Sequence, residues 1–559
     1  MDASLLRLKP EKIWIIEKSL GVDYMKCNNE NEIVKEFVTI NELINHTAEK
    51  WGEKEAFSYK NDNREKESVS YVEFQREIYA MAEELQKKKY INFKIGILGD
   101  NNYNWILSYF GIVCSGNIAV PIDKNLGADE IARLINDCNL DNLYFSDDYI
   151  DIINLIKNDS HCKRVTFTDM NLACSMVRGC IVNGSELAEA DKDLLAMIVY
   201  TSGTTGLPKG VMLTHGNIMA DTYGTALNVH SKEVSKSVLV LPLHHMFSII
   251  AGLTTIMLFG ISIYINTSYK YLVSNLKEVR PEYIAMVPLM LENIYSSIIN
   301  KAKKNKQYLK LKTFMVLSES CRVIGLDIRK WTFGSIRKEF GSCLKVVTCG
   351  GASLDKKYIS AFREWSVQIV VGYGMTECSP IIAVNCIDNF RDGSVGTPLC
   401  CCEVKIDKNP DEDCGEILVR GRNVTKGYYN RVEETKNLFD GKWLRTGDIG
   451  YLDKDSFLFI TGRKKNLIIL SNGENISPEE LESKIKKIPY VVDALVYAKN
   501  GLITAEIVLD IENYVNSEQK INSEIRNINK EMPMYKNINK VIIKREDFER
   551  TSISKVRRP

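Results

Sequence analysis

A loop of glycines, hydroxyl residues and one lysine follows a short apolar segment near the middle of the chain. Ala196–Tyr200 is predicted to be a buried strand, and residues 201–210 read Thr-Ser-Gly-Thr-Thr-Gly-Leu-Pro-Lys-Gly. Glycine lets the backbone approach a ligand closely, successive N–H groups and hydroxyls converge on phosphate oxygens, and lysine adds a mobile charge. The alternative is a polar surface turn. The pattern predicts a polyphosphate site formed by Thr201, Ser202, Gly203, Thr204, Thr205, Gly206 and Lys209.

The loop is not a Walker A motif, because that motif has Ser or Thr after its lysine and this chain has Gly210. A second polar group follows the strand-like pair Val370-Val371, where the chain continues Gly-Tyr-Gly-Met-Thr-Glu. Tyr373 can stack on a purine, Thr376 can bond a phosphate, and Glu377 can bind Mg²⁺ through oxygen. Alone this stretch reads as a surface turn; together with the first loop it predicts a nucleotide site that also includes Gly374.

The elements that must position these loops alternate between apolar strands and helices. Lys94–Gly99, Asn104–Val113 and Ile118–Pro121 are predicted as strand, helix and strand, and the pattern continues along the chain. Such alternation predicts a parallel sheet flanked by helices, in which ligands lie beyond the carboxyl ends of the strands. Residues 415–429 are predicted to be strands of a smaller β subdomain.

The composition excludes several functional classes. The 559 residues include 45% hydrophobic and 26% charged residues with a net charge of +1, so no basic field indicates a nucleic-acid partner. The 15 cysteines form no C-x-x-C pair, and we expect no signal peptide, which together predict a cytoplasmic location. The uncharged segment 246–269 is long enough for a membrane span, but its glycines favour a buried helix, a turn and a strand.

Several motifs occur in an order that resembles the adenylate-forming enzymes, from about residue 40 to the end. Besides the two loops, these are His-Met-Phe at 245–247, Gly-Gly-Ala at 350–352, Arg-Thr-Gly-Asp at 445–448 and Gly-Arg-Lys-Lys at 462–465. A lysine near the end, Lys555, matches the position of the family's catalytic lysine. Many relatives have Ser/Thr-Gly-Lys there, whereas this chain has Ile-Ser-Lys at 553–555.

The resemblance implies a role for each matching residue. His245 lies near the substrate carboxylate, Gly351 lines the adenine and acyl pockets, and Glu377 with Thr201 binds magnesium. Asp448 accepts hydrogen bonds from the ribose hydroxyls, for which the alternative is an Asp in a turn beside glycine. Arg463 contacts ribose or phosphate, Lys465 is the hinge, and Lys555 bridges carboxylate and α-phosphate. The catalytic set expected from the resemblance is Lys555, Thr376, Glu377, His245 and Lys209.

The resemblance also implies an α/β fold in three parts. These are a large adenylation domain of mostly parallel, helix-flanked sheets with a small β subdomain, a hinge, and a small mobile C-terminal α/β domain. The expected limits are 1–461, 462–466 and 467–559.

The implied activity is that of a fatty acyl-CoA synthetase, most similar to bacterial long-chain fatty acid–CoA ligases. The substrates and cofactors are a medium- or long-chain fatty acid, ATP, Mg²⁺ and coenzyme A. The stretch 242–247 has no acid to pair with an α-ammonium group, which disfavours an amino-acid substrate. The alternatives are an acyl carrier protein as acceptor, an aryl or other carboxylic acid, a membrane-peripheral loader that uses 246–269, and a nucleotide-binding scaffold without chemistry.

Overall fold

The computed structural model describes residues 24–26, 33–61, 63–159, 162–180, 190–201, 208–229, 234–323, 326–410, 412–469, 475–488, 490–499, 502–509 and 517–548. The predicted site residues Ser202, Gly203, Thr204, Thr205, Gly206 and Lys555 lie outside this set. The chain forms two compact units, Met1–Glu403 with Arg420–Leu438, and Val404–Val419 with Phe439–Pro559. The domain limits expected from the resemblance, with a hinge at 462–466, stay a prediction.

A six-stranded sheet of the first unit carries the predicted phosphate loop at its edge. In spatial order the strands are Lys209–Thr214, Leu195–Thr201, Ile118–Pro121, Lys94–Leu98, Asn142–Phe145 and Thr166–Asp169. All neighbours run parallel except the first two, which form an antiparallel hairpin. Every residue of Ile118–Pro121 is buried, as expected for a parallel strand covered on both faces.

A nine-stranded sheet carries the other predicted ligand loops of this unit. In spatial order the strands are Thr397–Pro398, Ile381–Val384, Gln368–Gly374, Val346–Cys349, Tyr283–Met286, Lys236–Leu239, Ser262–Ile265, Glu55–Lys60 and Lys66–Ser70. The centre is parallel and both edges are antiparallel. The predicted mixed α/β fold with mostly parallel sheets is therefore confirmed. A short hairpin pairs Tyr24–Lys26 with Ile33–Lys35.

Helices connect these strands, and their caps follow the local sequence. The spacing of Thr39 and Glu42 is that of a capping box and predicts a helix cap at Thr39. The Thr39 hydroxyl accepts a hydrogen bond from the Glu42 amide at 3.2 Å, which confirms this cap. The α-helices of the first unit among the described residues are Ile40–Trp51, Tyr71–Lys87, Tyr103–Cys114, Ala128–Cys138, Ile150–Lys157, Met170–Val177, His215–Val229, Thr255–Leu258, Leu272–Val279, Pro288–Lys304, Tyr308–Val323, Arg329–Thr332, Gly334–Arg337, Lys356–Glu364 and Val432–Leu438. Single 3-10 turns lie at Asp147–Tyr149, Tyr269–Tyr271, Lys338–Phe340 and Thr376–Cys378.

The uncharged segment 246–269 packs inside the first unit. It contains a π-helix at Ser248–Thr254, the short helix Thr255–Leu258, a turn at Gly260 with φ +61°, and the strand Ser262–Ile265. All residues of both helices and of the strand are buried, which confirms the predicted buried helix, turn and strand. In the described part of the chain, no helix combines the length and the hydropathy that a membrane crossing requires.

The second unit contains two further sheets and a small ribbon. Its antiparallel sheet consists of Cys402–Asp407, Gly415–Gly421, Trp443–Leu452, Phe439–Asp440 and Leu458–Arg463. After the 3-10 turn Lys464–Asn466 and the ribbon Ile468–Ile469 with Asn475–Ile476, a three-stranded sheet follows with strands Val491–Lys499, Leu502–Leu509 and Lys540–Lys544. The helices Pro478–Ile485 and Ser517–Lys530 and the turn Met534–Lys536 complete this unit.

Two local expectations are wrong. Only the beginning of 421–429 belongs to the β subdomain, because the rest lies along Lys209–Thr214 in the first unit, where the Met212 amide donates to the Gly427 carbonyl at 3.0 Å. The order Ser477-Pro478-Glu479-Glu480 predicts a helix start capped by Ser477. Ser477 does precede the helix Pro478–Ile485, but its side chain makes no capping hydrogen bond. Its hydroxyl donates instead to the Thr461 carbonyl at 2.6 Å, so this helix start is tied to the end of a strand.

Candidate active site

The edge hairpin of the six-stranded sheet brings the two ends of the phosphate loop together. Thr201 is the last residue of its strand and Lys209 the first of the next, and the two are paired across the hairpin. Gly210 packs beneath this pair, because a Cβ there would lie 2.8 Å from Ile198. Thr201 and Lys209 are therefore placed on either side of the loop, as the polyphosphate prediction requires.

The second predicted group of site residues, Tyr373 to Glu377, lies at the end of the strand Gln368–Gly374. Tyr373 and Gly374 end the strand, and the 3-10 turn Thr376–Cys378 follows at once. Position 374 must be glycine, because a Cβ would lie 1.8 Å from the carbonyl oxygen of Pro380. Thr376 is half-buried and Glu377 is buried at the beginning of this turn.

Tyr428 connects these two groups, although no motif predicted this residue. Its hydroxyl donates to Oε1 of Glu377 at 2.7 Å, and Nζ of Lys209 lies 5.2 Å from the centre of its ring. Burial, followed by the nearby Glu377 carboxylate, raises the pKa of Tyr428 above its ordinary value. The phenol is therefore a neutral hydrogen-bond donor between a cation and a carboxylate.

The backbone fixes Tyr428 in this position. An isolated antiparallel bridge pairs it with Val211, and the amide of Tyr429 donates to the Gly210 carbonyl at 2.8 Å. From the other direction, the Thr425 amide donates to the carbonyl of Glu377 at 2.8 Å. The segment 423–429 therefore joins the hairpin of one sheet to the strand end of the other.

A buried polar cluster supports the Glu377 turn from behind. The Ser379 hydroxyl donates to the Asn423 carbonyl at 2.7 Å, and Nδ2 of Asn423 donates to the Ile381 carbonyl at 2.9 Å. The Ile381 amide donates in turn to Asp221 at 3.2 Å. Burial raises the pKa of Asp221 well above its ordinary value, which favours its uncharged form in this interior. Buried polar groups that are hydrogen-bonded in this way stabilise one conformation of the turn.

The predicted histidine lies in a loop held by Asn101. The side chain of Asn101 donates to the Leu241 carbonyl at 2.8 Å and accepts from the Leu243 amide at 3.0 Å. The rings of His244 and His245 lie 4.2 Å apart, and Nε2 of His244 lies 3.5 Å from Oδ1 of Asp123. Sequence reasoning selected His245 and missed Asn101, whose contact spans 142 positions along the chain.

Burial makes both histidines poor bases. It lowers the pKa of His245, and together with the neighbouring His245 it lowers the pKa of His244 to about 3. Both imidazoles are therefore neutral near pH 7, so each can donate and accept a hydrogen bond. A neutral imidazole suits a carbonyl or carboxylate oxygen of a bound acid without adding a permanent charge.

The loop after the histidines contacts the Gly-Gly segment. A Cβ at Gly350 would lie 3.3 Å from the ring of Phe247, so this ring packs directly on the glycine backbone. Gly351 has φ +88°, a conformation that favours glycine. Phe247 of the His-Met-Phe motif and the glycines expected to line the adenine and acyl pockets are therefore neighbours in the first unit.

Asp448 and Arg463 pair within the second unit. They lie opposite each other on neighbouring strands, and Nε of Arg463 lies 2.9 Å from Oδ1 of Asp448. The Asp448 side chain is 6% exposed and its Arg463 partner 42% exposed. Lys465 lies with an exposed side chain in the 3-10 turn that follows. The roles expected for Asp448, Arg463 and Lys465 stay predictions.

The residues present fit a magnesium ion that is bound mainly through a substrate. Within the described residues no group of three or more His, Cys, Asp and Glu side chains could form a metal site of protein ligands alone. Mg²⁺ commonly binds through one or two carboxylates together with substrate phosphates. A single buried carboxylate at Glu377, with a lysine-bearing phosphate loop nearby, matches that donor set.

Comparison with known proteins agrees with the motifs. The family model described as AMP-binding enzyme matches residues 44–429, and the model of the AMP-binding enzyme C-terminal domain matches residues 465–559. The long-chain-fatty-acid–CoA ligase FadD15 of Mycobacterium bovis is 27% identical, over 76% of this chain and 74% of its own. The 2-succinylbenzoate–CoA ligase of Bacillus cereus is also 27% identical, over 77% and 80%.

A solved structure has the same fold over nearly the whole chain. O-succinylbenzoate coenzyme A synthetase from Bacillus subtilis, in complex with ATP and magnesium ion, superposes with a TM-score of 0.70 at 24% identity and covers 92% of this chain and 98% of its own. The longer of the two family matches includes Thr201, Lys209, His245, Glu377 and Tyr428. The chain belongs to the AMP-binding enzyme family.

Proposed function

We propose that the chain is an acid–CoA ligase that activates a medium- or long-chain fatty acid with ATP and transfers the acyl group to coenzyme A. The observation that carries the proposal is the linkage through Tyr428, which places the phosphate-loop lysine Lys209 and the carboxylate of Glu377 on two sides of one ring. The family match and relatives named as CoA ligases support the same reaction class.

In the first step the substrate carboxylate attacks the α-phosphorus of ATP, acyl-AMP forms, and pyrophosphate leaves. This step needs positioning and charge neutralisation more than covalent catalysis. Lys209 neutralises charge on the departing phosphates, and the neutral His245 orients the carboxylate. Glu377, with Thr201 as a second ligand, would hold a magnesium ion, which would further neutralise the phosphate charge.

In the second step the thiol of coenzyme A attacks the acyl carbon of acyl-AMP, a thioester forms and AMP leaves. By resemblance, Lys555 serves the first step and must withdraw before the second, with Lys465 as the hinge. We expect Lys555→Ala to abolish most adenylation and to leave thioester formation from supplied acyl-AMP comparatively intact. Equal losses in both steps, measured separately, would contradict this division of roles.

Two classes of carboxylic acid, aliphatic and aryl, are candidates for the acyl substrate. Phe247 against Gly350 gives an apolar wall, and the loop 242–247 carries no charged residue, both of which suit an aliphatic chain. An aryl acid is the second candidate, because a succinylbenzoate–CoA ligase is as similar to this chain as a long-chain ligase. An acyl carrier protein remains the alternative acceptor, although the relatives reported above are named CoA ligases.

ATP–pyrophosphate exchange with a panel of carboxylic acids tests the proposal. The panel contains saturated fatty acids of increasing length, benzoate derivatives and amino acids, each with and without coenzyme A. We expect exchange with medium- or long-chain fatty acids and CoA-dependent release of AMP. Exchange with aryl acids alone would select the second candidate, exchange without CoA turnover would favour a carrier protein, and absence of exchange with every acid would refute the proposal.

A further inference from the structure

The helical hairpin after strand Tyr283–Met286 has an unusual charge distribution. Residues 293–318 contain six lysines and no acidic residue, in a chain whose net charge is only +1. They form most of the helices Pro288–Lys304 and Tyr308–Val323 and the link between them. The positive charge is therefore concentrated at one place on the first unit.

The second helix of this hairpin exposes large apolar side chains on one side. Leu309 is 77% exposed, Val316 68% and Leu317 48%. The spacing of seven and eight residues places the three on one face of the helix. Leu311 and Ser318 lie on the opposite face and are buried, so the helix packs on the protein through one face and presents leucine and valine on the other.

Lysines precede and alternate with these apolar side chains along the hairpin. Lys301 is held by Glu339, but Lys303, Lys304, Lys306, Lys310 and Lys312 are all exposed. The Nζ atoms of Lys303 and Lys312 lie 5.7 and 5.2 Å from the centre of the Tyr308 ring, and that of Lys310 lies 5.5 Å from the Phe314 ring. We call Leu309, Val316, Leu317 and the five exposed lysines the basic–apolar face.

We propose that the basic–apolar face docks the protein on an anionic phospholipid surface. Lysines at headgroup level attract anionic lipids, each strengthening binding about fivefold, and exposed leucine and valine enter the acyl boundary. A nucleic acid would contact the lysines but would leave the apolar side chains in water. An acidic protein partner would likewise require the lysines but not the exposed leucine and valine side chains. The combination of both features on one helical hairpin favours the membrane surface.

The proposal replaces the membrane contact considered from the sequence. The segment 246–269 is the more apolar stretch, but its helices and strand are buried in the first unit and cannot reach a bilayer. The basic–apolar face is less hydrophobic and is exposed. Membrane docking here is independent of the proposed ligase activity, although a fatty acid dissolved in a bilayer would be a suitable substrate for a docked enzyme.

Vesicle co-sedimentation of the full chain tests the proposal. The probes are vesicles of phosphatidylcholine alone and vesicles in which a third of the lipid is phosphatidylserine. We expect binding to the anionic vesicles that weakens as salt is raised. Lys306→Gln/Lys310→Gln/Lys312→Gln should lower the partition coefficient on the order of a hundredfold, and Leu309→Ser/Val316→Ser about tenfold or more.

A matched control carries the same change of charge elsewhere. Lys88, Lys89 and Lys163 are exposed, and replacing them with glutamine should leave vesicle binding at the wild-type level. Thermal melting by circular dichroism verifies that each variant is folded. Wild-type binding by the lysine variant, equal losses in the control, or full binding by the Leu309/Val316 variant would overturn the proposal, as would preference for soluble polyglutamate or RNA over anionic vesicles.

Discussion

Glu377 and Asp448 are two buried carboxylates whose partners differ in charge. Glu377, in the first unit, accepts a hydrogen bond from the neutral phenol of Tyr428 at 2.7 Å. Asp448, in the second unit, lies 2.9 Å from the guanidinium of Arg463. A neutral donor leaves the negative charge of a carboxylate uncompensated, whereas a guanidinium offsets it.

The difference favours different ligands at the two carboxylates. A buried, uncompensated carboxylate gains most from a cation, so Glu377 suits magnesium. A carboxylate already paired with arginine retains lone pairs for neutral donors, so Asp448 suits hydroxyl groups such as those of ribose. Both roles were predicted from motifs, and the charge of each carboxylate's partner favours the role predicted for it.

The largest effect is expected from Glu377→Gln. The amide keeps the shape and can still accept from Tyr428, but it loses the charge that binds the cation. We expect ATP–pyrophosphate exchange at saturating substrates to fall roughly 10²- to 10³-fold, the size typical of losing one electrostatic contact in a transition state. Glu364→Gln is the matched control, because Glu364 is also a buried glutamate of the first unit. A rate of exchange above half that of the wild type in Glu377→Gln would contradict the role of Glu377 as the carboxylate that binds the cation.

Asp448→Asn should act on ribose recognition and have a smaller effect. We expect KM for ATP to rise roughly 10-fold, because a hydrogen bond to a charged acceptor is worth about 1.5–3 kcal/mol. The discrimination between ATP and its 2′-deoxy analogue should shrink in the variant, since the hydroxyl then has a weaker acceptor. Asp440→Asn, at an exposed aspartate paired with Arg445, is the control. Undiminished discrimination in Asp448→Asn would assign ribose binding to another residue.

The sequence predicts those parts of the site that depend on local order. Thr201, Lys209 and Glu377 lie at the ends of apolar strands, and an edge hairpin or a tight turn then fixes each position. Strand and helix alternation predicted the parallel sheets for the same reason. The buried helix, turn and strand of 246–269 were also predictable, because glycines interrupt this apolar run.

Long-range pairs could not be predicted in this way. Tyr428 reaches Glu377 across 51 positions, and Asn101 reaches Leu243 across 142. Periodicity and motif spacing carry no information about such contacts. The pattern of 421–429 is typical of a strand of the β subdomain, but most of this segment lies along Lys209–Thr214 instead. An antiparallel bridge of a single residue gives too weak a local signal to detect, although here it places the phenol.

Tyr428→Phe sharpens the comparison with the smallest change. It removes only the hydroxyl that donates to Glu377, while the ring beside Lys209 remains. Without this donor the carboxylate loses its orientation, so the magnesium concentration for half-maximal exchange should rise about 10-fold. KM for ATP at saturating magnesium should change less.

Tyr429→Phe is the neighbouring control, since Tyr429 is tied to Gly210 through its backbone amide, which the substitution keeps. A purely structural role for Tyr428 would lower thermal stability and maximal rate without moving the magnesium dependence. An unchanged magnesium curve in Tyr428→Phe would therefore show that Glu377 is oriented by the Ser379, Asn423 and Asp221 cluster alone. A shifted curve would show that a neutral donor orients this carboxylate for a cation, whereas the predicted hydroxyl acceptor Asp448 is paired with the guanidinium of Arg463.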